Sequence, residues 1–229
     1  MIFVYVRPLL AAVLSAVAVV ALSTVPAQAS SAAAPGAPGE TVTTTLYAAV
    51  DALPVADESR AGYERSKFRH WIDADANGCN TRKETILTEA VVAPEVGPRC
   101  SLTGGVWFSL YDQVTAEDAA GLDVDHMVPL AEAWDSGASA WTAAERQGYA
   151  NDLDDPRSLI AVTARSNRQK SDKDPADWLP VKGYICTYIT DWATVKTRWG
   201  LAADSREKEV LTRLASSCAN EPITVELAR

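Results

Sequence analysis

Two short apolar segments, Gly121-Leu122-Asp123-Val124-Asp125-His126 and Ser158-Leu159-Ile160-Ala161-Val162-Thr163, constrain this chain more than any other feature. Each has the length and residue content of a buried strand. The second runs into Ser166-Asn167-Arg168-Gln169-Lys170-Ser171-Asp172, which has the character of a helix start. Strand, connector, strand, helix is the order of a ββα unit. Thr142-Ala143-Ala144-Glu145 in the connector is a capping box that opens a short helix. The first strand ends on a charged pair, Asp125 and His126, and adjacent residues of an extended strand point to opposite sides. A site that needs a metal ligand beside a general base suits that divergence. Only two histidines occur, His70 and His126, so imidazole chemistry must use one of them. His70 is expected to pack beside Trp71.

DVDHMVPLAEAW followed by SLIAVTARSNRQKSDKDPADW resembles the HNH, or ββα-metal, nucleases. The likeness is closest to the secreted actinobacterial HNH endonuclease-family proteins and to the related domain of modification-dependent restriction enzymes. The HNH domain of RNA-guided DNA nucleases is also similar. The core of the match runs from about Gly121 to Trp178, and HWIDADANGCNTRKE and GGVWFSLYD extend it over most of the mature chain. The D-H dipeptide alone is weak evidence. With V-P after it and N-R-x-K-S-D at this distance, the pattern is specific.

The resemblance implies an α+β fold: a ββα-metal core flanked by helices. It also implies an endonuclease that hydrolyses phosphodiester bonds of DNA, with RNA as a second candidate substrate. Asp125 and Asn167 would be ligands of one divalent ion, Mg²⁺ or Mn²⁺, and His126 the general base. The chemistry is consistent. A hard ion takes carboxylate and amide oxygens, keeps several waters and neutralises charge on the reacting phosphate. A neutral imidazole is a suitable base near pH 7. The middle Asn of the family name aligns near Ser158, which has no amide. Orientation of His126 is therefore expected from Ser158 itself, from a backbone carbonyl, or from Asn151 if the connector folds back. Arg165, Arg168, Lys170 and Lys173 surround Asn167. They form either a solvated helix face or a phosphate contact, with Arg165, Arg168 and Lys170 as the substrate-binding candidates.

Residues 1–29 read as a signal peptide: Arg7, an apolar run from Leu9 to Leu22, and the small-residue site Ala27-Gln28-Ala29. An uncleaved anchor is the alternative, but the run is short for a span and no basic cluster follows it. Residues 30–43, rich in small residues, Pro and Gly, read as a disordered linker, and 44–229 as a single domain. The expected mature protein is a secreted, extracellular monomer with no membrane contact. Its four cysteines favour two disulfides. Three connectivities are open. Cys79–Cys100 and Cys186–Cys218 are favoured because each closes a local loop, the second across a helical hairpin ending near Cys218. A zinc site is disfavoured by the lack of any C-x-x-C pair. Without Arg7 the net charge is −10. That argues against a protein that coats nucleic acid by bulk charge, though not against an enzyme with a local basic patch.

Asp73-Ala74-Asp75-Ala76-Asn77-Gly78 with Glu84 fits the calcium-loop pattern, with Asp73, Asp75, Asn77 and Glu84 as candidate ligands of a structural Ca²⁺. Asn80 in place of an apolar residue, the bridged Cys79 and the nearby Arg82 count against it. The other reading is an Asx-rich turn stapled by a disulfide, and a third has Arg82 or Glu84 reaching the nuclease centre. Two competing functions stand beside the nuclease. One is a different metal-dependent phosphodiesterase on the same core. The other is a non-catalytic, calcium-stabilised binding module on a degenerate HNH fold.

Overall fold

The computed structural model describes residues 1–4 and 36–229. The proposed signal sequence and its cleavage site fall almost wholly outside them. Residues Pro35–Arg229 form one unit. Its elements run β1 (Thr41–Thr45), α1 (Leu46–Ala52), α2 (Thr81–Thr88), β2 (Glu95–Gly97), β3 (Ser101–Thr103), β4 (Trp107–Ser109), β5 (Val114–Ala116), β6 (Leu122–His126), α3 (Leu130–Asp135), α4 (Ala143–Ala150), β7 (Leu159–Thr163), α5 (Ala164–Lys170), α6 (Ile185–Trp199), α7 (Ser205–Ala215) and β8 (Pro222–Glu226). The fold is α+β, with helices around four two-stranded antiparallel ribbons, β1–β8, β2–β3, β4–β5 and β6–β7.

The β6–β7 ribbon pairs Leu122 with Thr163 and His126 with Leu159, and α5 follows at once, completing the ββα unit. Strand alternation divides its side chains between two cores. Leu122, Val124, Leu159 and Ala161 pack with Ile86 of α2 and Trp107. Ile160 and Val162 join the larger core, which holds Tyr111 and the α6 residues Tyr188, Ile189 and Trp192. The ribbon is thus covered on both faces, and polar groups at its end are enclosed by construction.

Local capping accounts for the helix bounds. Thr142 and Glu145 form the expected capping box on α4. Thr163 caps α5 by accepting from Ser166 N at 3.2 Å, so this helix starts two residues before Ser166. It stops at Ser171, whose φ is +54°. Asn80 caps α2 through Lys83 N, which fixes its start at Thr81. Val92 bridges to Val106. Gly200 ends α6 in the left-handed region and Asp204 caps α7, as the hairpin reading requires. Both favoured disulfides are present, Cys79–Cys100 and Cys186–Cys218.

The linker expectation needs a correction. Thr41–Thr43 are not part of a disordered tether, because they pair with Thr224–Glu226 of β8. The β-branched run Thr41–Thr45 needed a partner strand, and that partner lies at the far end of the chain.

Asp152, just past α4, is a buried junction. It accepts from Ser158 Oγ at 2.7 Å, from Arg198 Nε and Nη2 at 2.8 and 2.9 Å, and from Trp199 Nε1 at 2.8 Å. It locks the end of α4 to the start of β7 and to α6. Arg198 is itself buried, so truncating Asp152 would strand a guanidinium. Asp152→Ala is expected to lower unfolding free energy by about 3–5 kcal/mol, read from urea melts. A loss under about 1 kcal/mol would show that the junction is not structural.

Candidate active site

Asp125, His126 and Asn167 line one cleft of about 360 Å³, together with Arg65, Arg168, Ser171 and Asp172. Register puts the first two at the end of β6, and the first turns of α5 bring Asn167 alongside.

Asp125 is 5% exposed. Its Oδ2 accepts from Lys170 Nζ at 2.6 Å and from the Tyr111 hydroxyl at 2.7 Å. Lys170 Nζ also donates to the His126 carbonyl at 3.0 Å. Burial pushes the Asp125 carboxyl up and the Lys170 ammonium down, while their mutual contact opposes both shifts. The bond between them is short and charge-assisted, and the Tyr111 hydroxyl adds a second donor to the same oxygen. Both donors use Oδ2, which leaves Oδ1 available as a ligand oxygen.

His126 is equally enclosed, and its Nε2 lies 3.0 Å from the Ala150 carbonyl at the end of α4. A carbonyl only accepts, so the neutral ring carries its proton on Nε2 and keeps the Nδ1 lone pair free. Burial pulls the imidazole pKa down to about 3, which keeps the ring neutral. Trp71 stacks on it at 5.1 Å and 24°, and Tyr149 lies near-parallel at 6.3 Å and 15°. Trp71 has φ +59°, a strained conformation for a bulky residue. His70 packs edge-on against Trp71, as expected.

Asn151 enforces that strain. Its Oδ1 accepts from Ile72 N at 3.0 Å and Thr81 Oγ1 at 2.9 Å, and its Nδ2 donates to the Arg69 and Gln147 carbonyls at 2.7 and 2.8 Å. The connector does fold back, and Asn151 pins the segment that carries Trp71 instead of touching the imidazole. Ser158 does not touch it either. Its hydroxyl is spent on Asp152, and its carbonyl accepts from Met127 N at 3.0 Å. The expectation that Ser158 is catalytic is therefore corrected: of the three alternatives, a backbone carbonyl orients His126.

Asn167 Nδ2 donates to Asp123 Oδ2 at 3.3 Å, which leaves its amide oxygen free to act as a ligand. Arg168 reaches the same carboxylate, with Nε at 3.7 Å, and its side chain is 78% exposed. Arg165 is exposed and outside the cleft lining. Lys170 is fully buried, so its assignment as a phosphate contact is wrong. A charge at the last turn of α5, on the face turned toward α6, has Asp125 as its partner. The sequence reading missed Arg65, Tyr111, Trp71 and Asp123. Arg65, on a turn remote in sequence, is a second arginine lining the cleft with Arg168.

In the acidic loop, Asp73 Oδ2 accepts from Gly78 N at 2.9 Å, and the Asn77 amide donates to Asp75 at 2.8 Å and Glu84 at 3.0 Å. The four candidate ligands therefore converge around Asn77. Glu84 stays in this loop, and Arg82 donates to the Leu122 carbonyl of β6 at 2.8 Å. Neither lines the cleft.

The arrangement is a ββα unit whose cleft is lined by an oriented imidazole, a carboxylate and an amide side chain. The chain matches the family described as GmrSD restriction endonucleases, C-terminal domain, over residues 96–214, just over half its length, and belongs to that family. It is also similar to a protein of Arthroderma benhamiae described as an uncharacterized secreted protein. The two are 41% identical over 185 residues, 80% of this chain and 88% of that one. That relative is fungal, so the expected actinobacterial kinship is not supported. No solved structure matches the chain.

Lys170 and Arg168, two residues apart on α5, differ in burial and so in what each contributes to stability. Lys170→Met leaves the Asp125 carboxylate buried and unpaired, and is expected to cost about 3–5 kcal/mol. Arg168→Ala is expected to leave the urea midpoint unchanged. Equal midpoints for both variants would show that the buried pair is not what holds α5 to β6.

Proposed function

We propose that the protein is a secreted, divalent-metal-dependent endonuclease that hydrolyses phosphodiester bonds of DNA. The observation that carries this is the state of His126. It is neutral, held at Nε2 by the Ala150 carbonyl, and lies in the same cleft as Asp125 and Asn167. Membership of a family named for restriction endonucleases supports the reaction class.

The donor set fits a hard cation: one carboxylate and one amide side chain among the residues lining the cleft, with no cysteine and no second histidine in that lining. Asp125 and Asn167 would hold it, and Mg²⁺ or Mn²⁺ bound there would stabilise charge on the phosphate and on the leaving oxygen. The other steps belong to the chain. Nδ1 of His126 accepts the proton of the attacking water, and the Ala150 carbonyl stabilises the resulting imidazolium through Nε2–H. Lys170 and Tyr111 fix the Asp125 carboxylate. Arg65 and Arg168 contact the flanking phosphates as the local basic groups in an acidic protein. Export after Ala29 is supported by the two disulfides and by the secreted relative.

The test is plasmid nicking by the mature protein with Mg²⁺ or Mn²⁺, with EDTA, and by His126→Ala. Wild type is expected to nick only with metal, and the variant, while still folded by circular dichroism, to be about 10²–10⁴-fold slower. Nicking that survives EDTA, or equal cutting by the variant, overturns the mechanism. No cutting by metal-replete wild type favours the binding-module reading.

We also propose that the loop bearing Asp73, Asp75, Asn77 and Glu84 takes a structural Ca²⁺, which would replace the Asn77 amide as the group linking Asp75 and Glu84. Extracellular sites of this type bind at about 10⁻⁴–10⁻³ M. Addition of about 5 mM CaCl₂ is thus expected to raise Tm by a few degrees in wild type and not in Asp75→Ala. An equal shift in both places calcium elsewhere.

A further inference from the structure

An apolar cavity of about 830 Å³, lined by residues of α2, β7, the 152–157 segment and α6, is distinct from the active-site cleft. Leu87, Leu159 and Ile160 contribute to its wall, and Val91, Phe108, Leu110 and Leu153 are large apolar side chains that remain exposed around it. Such a volume is that of a small-molecule site, which usually combines apolar walls with a few placed polar groups.

Two carboxylates supply the polar groups. Glu89, at the end of α2, accepts from Ala161 N at 2.9 Å through Oε2, taking an N–H on the edge of β7 that faces away from β6. Asp191 of α6, 9% exposed, accepts from the Tyr184 hydroxyl at 3.2 Å through Oδ2. Among the described residues neither carboxylate has a Lys, Arg or His within 4.0 Å. Arg157 also lines the cavity, but one edge of its guanidinium is committed to Asp155, at 2.8 and 2.7 Å, and Nη2 also donates to the Thr224 carbonyl at 2.9 Å; its charge opposes part of the shift at Asp191. Burial pushes both unpaired carboxyls up to about 7. A carboxylate in an apolar wall without a counter-ion is costly, and a cation from outside would remove that cost.

We propose that this cavity binds a small organic cation, an apolar body carrying a protonated amine, with the ammonium received by Glu89, and Asp191 adding a second negative charge to the same wall. The apolar group would occupy the space bounded by Leu87, Leu159 and Ile160. The ammonium would donate to Oε1 of Glu89, the oxygen that has no protein donor. The site does not depend on the nuclease reading, since none of these residues lines the active-site cleft.

Calorimetric titration of the mature protein with 4-phenylbutylamine, 4-phenylbutanol and 4-phenylbutyrate tests this. The amine is expected to bind roughly tenfold or more tightly than the alcohol, and the carboxylate most weakly. Glu89→Gln with Asp191→Asn keeps both acceptor oxygens for Ala161 and Tyr184, and is expected to bind amine and alcohol alike. Should that variant not fold, Leu153→Arg at the exposed rim offers the carboxylates a tethered guanidinium and is expected to weaken amine binding by a similar factor. The proposal is overturned if wild type shows no saturable amine binding or binds the alcohol or carboxylate as tightly. It is equally overturned if the amine preference survives in the folded charge-neutral variant or in Leu153→Arg.

Discussion

The buried pair between Lys170 and Asp125 is the contact on which the rest of the arrangement depends. It joins the last turn of α5 to the end of β6, and it lies under Tyr111, Tyr188 and Trp192 in the larger core. In that enclosed setting neither charge survives alone, because the desolvation of one is repaid only by the other. The same contact shapes the cleft. Oδ2 is occupied by two donors, Oδ1 has no protein donor, and through the His126 carbonyl Lys170 fixes the backbone that carries the imidazole.

Much of this was legible in the sequence because it is written in local pattern. Length and residue type place β6 and β7, and the Thr142–Glu145 box places α4. The Cys186–Cys218 pairing followed from the helical hairpin and Cys79–Cys100 from local loop closure. What was not legible depends on pairing across long separations. β1 has no identity as a strand until β8 meets it, and Thr41–Thr43 alone look like linker. Lys170 was misread for a related reason. A charge run looks like a solvated face unless one knows that the helix carrying it lies against a ribbon whose other neighbours are aromatic.

The orientation of His126 is a different kind of blind spot. Where the family's pattern places an amide side chain, this chain uses the Ala150 carbonyl, and a backbone group leaves no letter in the sequence. The cost of the substitution is distributed. Asp152 must hold the end of α4 in place, and Asn151 must hold the 69–72 segment. Trp71 must then adopt a left-handed backbone so that its ring lies on the imidazole. Three adjacent residues, Ala150, Asn151 and Asp152, thus do by main-chain placement what one side chain does elsewhere. Only Asn151 could have been suspected from sequence, and for a role it does not have.

Charge bears on how a protein this acidic could act on nucleic acid. The cleft is lined by the carboxylates Asp125 and Asp172 as well as by arginines, but the excess acidic groups do not all face solvent. Many are enclosed and paired within the fold, as Asp125, Asp152 and Glu207 are with Lys170, Arg198 and Lys196. The cleft itself is flanked by Arg65 and Arg168, both on the solvent side. With so few cations the electrostatic part of binding is small and strongly screened at physiological salt. An enzyme built this way would hold its substrate mainly at the reacting phosphate and release product readily. Turnover then depends more on the geometry around His126 than on the charge of the surface.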